Sequence, residues 1–344
     1  MKISKSLEEV IISCYNYKSL SIIGLEKNTG KTTTLNFLIK TLKNRALGIT
    51  SIGMDGEEKD TLYGTHKPKI YIGKGTLVAS AKTSLLISDV TFEILEVLDI
   101  NTPLGFIVIA RSISQGFVEI SGPSTKNGVK KVITAMEIYG ADLSLVDGAL
   151  SRKTFADPLI TEASILCIGG AYSEHINTLI NETLKLMCFF SISKADDKTC
   201  ELYKKIMEHT KLAFVYEDKI IRSKLKLALG SSEEIISNYS VKLKYVFISG
   251  VITNSLMESI LNSSFNVSTV IFIIEDGTKL FLSNDIYFRF LNRHGKFQCL
   301  NKINIIGISI NPKSTSGYSL DYKYLVKALK PELNIPVFNV LNQD

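Results

Sequence analysis

Two rhythms of apolar residues alternate along this chain. Short continuous apolar runs, closed by glycine or a polar residue, are separated by stretches in which apolar residues recur every three or four positions. The first pattern marks strands buried on both faces and the second marks amphipathic helices. Leu7, Val10, Ile11 and Cys14 share one face of a helix over 5–15, which is expected to pack on a sheet edge and leads into a strand at 19–24. A helix over 31–44 follows, then a strand from Leu47 to Ile52 that opens into an acidic, glycine-bearing loop. Extended pieces at 69–73 and 76–80 flank a turn at Gly73 and Gly75, and residues 83–99 read as partly helical in spite of their β-branched residues. Two more strands fall within 103–111 and 116–123. A helix from Lys126 to Gly140 carries Val129, Val132, Ile133, Met136 and Ile138 on its apolar stripe. The strand Leu143–Val146, ending in Asp147-Gly148, a strand Ala163–Gly169 and a helix over about 172–187 continue the alternation.

The segment at 191–199 is the first polar break, so the pattern predicts a domain over 1–195 and a second over 196–344. In the second, strands near 212–217, 243–249, 268–274, 303–310 and 336–341 alternate with helices near 199–209, 232–239, 252–262, 284–293 and 320–330. That is a second α/β unit of Rossmann-like character, with a largely parallel sheet.

The stretch SIIGLEKNTGKTTTL, Ser21 to Leu35, joins the first strand to its helix and carries the most specific chemistry. A glycine-bearing loop before a helix N-terminus offers backbone N–H groups and a positive dipole end to phosphate. In that setting Gly24, Lys27, Asn28, Thr29, Gly30, Lys31, Thr32 and Thr33 are the candidate nucleotide-binding residues. Lys31 reaches the outer phosphates and the Thr32 hydroxyl reaches Mg²⁺. This is the P-loop arrangement, with one departure: five residues instead of four separate Gly24 from Gly30, leaving Leu25 where the first glycine would stand. Asp147 at its strand end is the expected carboxylate partner, holding Mg²⁺ or a metal-bound water. Asp55 is the next candidate for metal and catalysis, although Glu57, Glu58 and Asp60 beside it fit a solvated acidic face equally well. The expected catalytic set is Lys31, Asp55 and Asp147, the metal set Thr32, Asp55 and Asp147, and the cofactors ATP and Mg²⁺. Arg111, Arg152, Glu119, Ser121 and Ser124 stand near strand ends. The loops 250–255 and 311–319 have the residues to cup a small ligand or an anion at a helix start, but read first as ordinary turns and caps.

Composition narrows the partners. With 344 residues, 45% hydrophobic and 22% charged, the chain is globular in character. Its net charge of +6 is spread without a basic stripe, which gives no sign of a nucleic-acid partner. No apolar run is long enough for a membrane span and the N-terminus is unlike a signal peptide, so a cytoplasmic location and no membrane partner are expected. Five cysteines lack CxxC spacing and four histidines lack ligand spacing, and none is assigned chemistry.

The spacing Gly24-x5-Gly30-Lys31-Thr32 resembles the dethiobiotin synthetase and cobyric acid synthase branch of P-loop NTPases. A closer likeness runs through GLEKNTGKTTTLNFLI, LGITSIGMDGEEKD, GTHKPKIYIGKGTLVAS, DINTPLGFIVIAR, ISGPS and GADLSLVDGALSRKTFADP. Together these resemble the P-loop subunit of the lysine 5,6-aminomutase reactivases of lysine fermentation. The resemblance implies an ATP-dependent factor that works with a MutS-like ATPase subunit to restore an adenosylcobalamin-dependent aminomutase. The chain has no DxHxxG motif for binding cobalamin itself. Two rival expectations are a ligase of dethiobiotin synthetase type that activates a carboxylate or carbamate, and a non-hydrolysing nucleotide sensor.

Overall fold

The computed structural model describes residues 4–53, 69–148, 160–224 and 231–341. In chain order its first part runs α1 (Lys5–Cys14), β1 (Ser19–Gly24), α2 (Lys31–Thr41), β2 (Leu47–Ile52), β3 (Ile70–Ile72), β4 (Leu77–Ala81), α3 (Lys82–Leu86), β5 (Phe92–Thr102), β6 (Gly105–Ser112), β7 (Gly116–Val118), α4 (Lys126–Ile138), β8 (Leu143–Gly148), β9 (Ala163–Gly169) and α5 (Ile176–Phe190). Next come α6 (Asp197–Met207), β10 (Leu212–Tyr216), β11 (Ile220–Arg222), α7 (Ser231–Ser237), β12 (Leu243–Ile248), β13 (Ile252–Thr253), α8 (Asn254–Leu261), β14 (Ile271–Ile274), β15 (Leu280–Phe281), α9 (Asn284–Asn292) and β16 (Lys296–Cys299). The chain closes with β17 (Ile305–Asn311), α10 (Tyr322–Leu329) and β18 (Val337–Phe338). The architecture is α/β, and among the described residues no helix is long and apolar enough to cross a membrane.

Two compact units emerge, and they are not divided where the polar break predicts. Unit 1 comprises Met1–Leu184 together with Asn304–Asp344, and unit 2 is Lys185–Ile303. The last forty-odd positions therefore leave the expected C-terminal domain, because β17 pairs along its whole length with β9 and β18 pairs with β17. A continuous apolar run such as Ile305–Ile310 fits any parallel sheet interior, and its partner decides which sheet it joins.

Unit 1 is built on a nine-stranded sheet in the order β18-β17-β9-β1-β8-β2-β4-β6-β5. Pairing is parallel from β18 through β4, and the hairpin β5–β6 adds two antiparallel strands at the other edge. Every residue of β1, β4 and β9 is buried, which is why these strands read as unbroken apolar or small-residue runs. Side chains alternate between the two faces. Leu143 and Leu145 of β8 pack with Leu35 and Leu38 of α2, whereas Val146 packs with Val129 of α4. Helix α1 lies against β17 and β18, at the edge of the sheet as expected.

Two local expectations change. Residues 83–99 hold only the short helix α3, and the rest is the eleven-residue strand β5, where the β-branched residues find a pairing partner in β6. Ile138, counted on the apolar stripe of α4, is exposed in its last turn, while Val129, Val132 and Met136 are buried.

Unit 2 carries a five-stranded sheet in the order β11-β10-β12-β14-β16. It is mixed instead of largely parallel: β12, β14 and β16 run parallel, but β10 is antiparallel to both β11 and β12. Buried aromatic rings fill its interior, with Phe272 in contact with Phe265, Phe290 and Phe297 at centroid distances of 5.9, 5.7 and 5.8 Å.

All five cysteines are free thiols, and Cys188 alone among them is exposed. Burial pushes the Cys14 and Cys299 thiols up to about 11 and the Cys167 thiol to about 12, so these stay protonated and poorly nucleophilic at neutral pH. The native chain should accordingly take up about one equivalent of iodoacetamide, and about five once denatured. Mass spectrometry after timed alkylation checks this, with Cys188 as the expected adduct site.

Candidate functional site

The loop between β1 and α2 is shaped by its neighbours in the sheet. β1 lies between β8 and β9, with Ile22 in register with Asp147 and Gly24 with Cys167. As the chain leaves the sheet, the Leu25 N–H donates to the Cys167 carbonyl at 3.0 Å. The loop then folds back on the carbonyl of Glu26, which accepts from Thr29 Oγ1 at 2.9 Å and from Lys31 Nζ at 2.8 Å. Asn28 and Gly30 take left-handed backbone conformations at φ 61° and 93°. Such alternation turns successive N–H groups toward one concavity, the anion-binding geometry of a backbone nest.

Gly24 is needed here for space, and Gly30 for space as well as conformation. A Cβ on Gly24 would lie 2.4 Å from Thr29 Oγ1, and one on Gly30 would lie 3.0 Å from the Cβ of Asn311. Leu25, in the position where the usual motif has glycine, is accommodated because Gly24 one residue earlier provides the close approach.

Helix α2 starts directly at Lys31, with the Thr34 N–H donating to the Gly30 carbonyl at 2.9 Å. Thr34 is buried and spent on the framework, through Ser309 Oγ at 2.8 Å and the Cys167 thiol at 3.6 Å. Thr32 is half-buried and Thr33 exposed, so Thr32 is the more sheltered hydroxyl. Lys27 is exposed, and Thr29 is buried with its hydroxyl holding the loop closed.

Lys31 is the electrostatic centre. Burial lowers its pKa below the ordinary lysine value, and the charge of Asp147 is the largest influence working the other way, with Glu26 adding to it. That influence puts two of the three expected catalytic groups, Lys31 and Asp147, in one neighbourhood. Asp147 stands half-buried near the end of β8, between Ile22 of β1 and Ser51 of β2. Lys31, Thr32 and Asp147 thus gather at the carboxyl ends of the central parallel strands, where open α/β sheets bind ligands. Asp55, with Asp60 and Arg152, lies outside the described residues.

The remaining sequence candidates divide. Arg111 sits opposite Leu77, the first residue of β4, and therefore at the far end of the sheet; its guanidinium donates to the Tyr139 carbonyl at 3.0 Å. It does not join the site. The segment around Ser121 does cross the strand ends, through Gly122 N–H to Ser51 Oγ at 2.9 Å and Gly53 N–H to the Pro123 carbonyl at 2.9 Å. Ser121 itself is buried and bonded to Ser84, so it serves the framework. Thr253 in the 250–255 loop caps α8 through the Leu256 N–H, the ordinary role expected of it.

Asn311 opens the 311–319 loop, and its contact with the glycine loop is what sequence patterning does not show. It closes β17, and its Nδ2 donates to the Asn28 carbonyl at 3.2 Å, tying the 311–319 loop to the glycine loop. A Cβ on Gly169 would come 2.2 Å from the Asn311 carbonyl, so the absence of a side chain on β9 lets Asn311 draw in. The available signal is a polar residue and a proline at the end of an apolar strand, but it gains meaning only once β17 is known to sit beside β9.

The donors suit a phosphate ester with Mg²⁺. Among the described residues no group of three or more His, Cys, Asp or Glu is placed to cage a metal. A hydroxyl and a carboxylate beside a phosphate site are nevertheless what Mg²⁺ ordinarily takes from protein. No family model, no curated protein and no solved structure matches the chain. What fold and site define on their own is an α/β protein with a glycine-bearing loop at the ends of its central parallel strands.

Proposed function

We propose that unit 1 is a P-loop nucleotide-binding domain that binds ATP with Mg²⁺ and hydrolyses it. The observation that carries this reading is Lys31, held against the glycine loop at the start of α2 and coupled to Asp147. The ammonium group is partly desolvated and donates to the Glu26 carbonyl. Phosphate oxygens add to the negative charge that Asp147 already directs at Lys31, so Lys31 moves from the Glu26 carbonyl to the outer phosphates on binding. The nest at Asn28–Gly30 and the first N–H groups of α2 hold the inner phosphates. When water attacks the terminal phosphorus and the bond to the bridging oxygen breaks, Lys31 and the loop N–H groups stabilise the charge gathering on that oxygen. Thr32 and Asp147 would hold Mg²⁺, which supplies further neutralisation of the phosphates.

The wider role follows the likeness described above. The chain serves as the ATP-dependent subunit that, with a MutS-like partner, reactivates an adenosylcobalamin-dependent lysine 5,6-aminomutase. Nucleotide binding drives such a step by favouring one conformation of the complex over another. Phosphate release measured with the chain alone, with the MutS-like partner and with the aminomutase separates the readings. Turnover that needs only a small carboxylate or amine substrate would move the assignment to the ligase, and binding with no turnover under any condition would make the chain a sensor.

The pH dependence tests the site itself. Phosphate favours the charged form of Lys31, so its pKa is higher in the complex than in the free protein. Affinity is therefore fully present below the free-state pKa and is lost as pH rises through the bound one. Because burial lowers the free value, weakening begins at a pH below the ordinary lysine range. Calorimetric titration of ATP and Mg²⁺ across the alkaline range should show this decline together with proton uptake, and Lys31→Arg should lose the proton uptake. A flat affinity across that range would remove Lys31 from the site.

A further inference from the structure

Asn311 stands where three glycines leave room for it. A Cβ on Gly30 would lie 3.0 Å from the Asn311 Cβ, one on Gly169 would lie 2.2 Å from the Asn311 carbonyl oxygen, and one on Gly170 would lie 2.7 Å from the carbonyl oxygen of Pro312. Hydrogen bonds then fix the residue. Its carbonyl accepts from the Gly170 N–H at 3.0 Å, its Oδ1 accepts from the Lys313 N–H at 3.3 Å, and its Nδ2 donates to the Asn28 carbonyl at 3.2 Å. With an N–H on one side of the amide and a carbonyl on the other, a single orientation of that amide satisfies both. The segment that follows is closed on itself. The Ser314 N–H donates to the Tyr318 carbonyl at 2.9 Å, the Leu320 N–H to the Pro312 carbonyl at 3.0 Å, and the Tyr318 hydroxyl to the Gly170 carbonyl. Asn311 is thus a fixed donor aimed at the glycine loop.

What Asn311 holds is a peptide group in an uncommon place. Asn28 takes φ 61°, a left-handed conformation that costs a residue with a side chain energy and persists where its surroundings enforce it. The peptide joining Asn28 to Thr29 is trans, so its N–H points away from its carbonyl. Holding that carbonyl toward β17 turns the Thr29 N–H the other way, into the loop. A flip of the peptide would exchange the two groups and set a carbonyl oxygen where a donor stood, and such an oxygen repels phosphate. We infer that Asn311 is a positioning residue for phosphate binding, which keeps the Asn28–Thr29 peptide in its donating orientation. The inference rests on the nucleotide-binding reading of the loop and adds that one of its donors is aimed by a residue 283 positions away. Because Asn311 acts through the loop, its effect is the same for any ligand that presents the phosphates.

Calorimetric titration of the full chain with ATP and Mg²⁺, and in parallel with inorganic tripolyphosphate and Mg²⁺, tests this, since the second ligand has phosphates without base or sugar. Asn311→Leu, uncharged and similar in shape, removes the donor and should weaken both ligands roughly 2- to 10-fold. Asn311→Asp keeps the acceptor for Lys313 but turns an oxygen on the Asn28 carbonyl, and should weaken both by more, about 10-fold or beyond. Ser316→Asp adds the same charge at an exposed position of the same loop and should leave both affinities nearly unchanged. With threonines selectively labelled for nuclear magnetic resonance, the Thr29 amide signal should move in both Asn311 variants while circular dichroism stays that of the wild type. Weakening confined to ATP would overturn the proposal and make Asn311 a contact of the nucleoside. Wild-type affinity for both ligands in both Asn311 variants would overturn it while leaving the nucleotide site in place. A wild-type chain that binds neither ligand would remove the nucleotide site itself, and this inference with it.

Discussion

Lys31→Met removes ATP binding. The substitution keeps the aliphatic stem and deletes the ammonium group, leaving the outer phosphates without their cation in a partly desolvated site. Truncating one member of such a charge pair costs about 2–5 kcal/mol, or roughly 30- to 5,000-fold in affinity. Calorimetry should show the loss directly, and phosphate release should fall to background. A thermal scan provides a second readout. ATP at about 100 times its Kd stabilises the wild-type chain by about 2.7 kcal/mol and should raise its melting temperature by several degrees, a shift the variant should not show. Retained binding at wild-type affinity would mean that the loop around Glu26 is a closed turn and not a phosphate site.

Phe272→Ala has the largest expected effect on stability, and its target is unit 2. The ring is fully buried on the interior strand β14 and touches three other phenylalanines. Deleting it leaves a cavity that neighbouring rings fill only partly, a loss of about 3–5 kcal/mol. Urea denaturation should show a transition moved to lower concentration, and near-ultraviolet dichroism should weaken as the phenylalanine cluster loosens. Phe272→Leu, which retains most of the apolar volume, should recover much of the difference. An alanine variant within 1 kcal/mol of wild type would contradict the packing described for this core.

Much of the site was legible because it is local. β1, its glycine loop and α2 are contiguous, and each leaves a mark: an apolar run, a pair of glycines and a helical stripe. Asp147 was legible for the same reason, as a carboxylate closing an apolar strand. Features resting on distant pairing were not. β17 looks like any buried parallel strand, and its place beside β9 depends on a partner far away in sequence. The domain boundary failed with it, and so did Asn311. β16, with Lys296 and Gln298 alternating with Phe297 and Cys299, is too short and too polar to stand out from a loop. The β5 segment mimics a helix in sequence because the apolar residues Ile94, Leu95 and Leu98 fall at helical spacing where register shifts break the strand's alternation.

The return of the chain to its first sheet also fixes an order of events in synthesis. β9 is made early, but its outer edge stays open until the whole of unit 2 has been translated and β17 arrives. Such an edge is a template for wrong pairing. The same late strand brings Asn311 to the glycine loop, so a chain interrupted before Asn304 has the loop without its brace. The surroundings of the glycine loop are thereby completed only by a strand made after the whole of unit 2, so the loop's final shape depends on the chain finding its way back to the sheet it left.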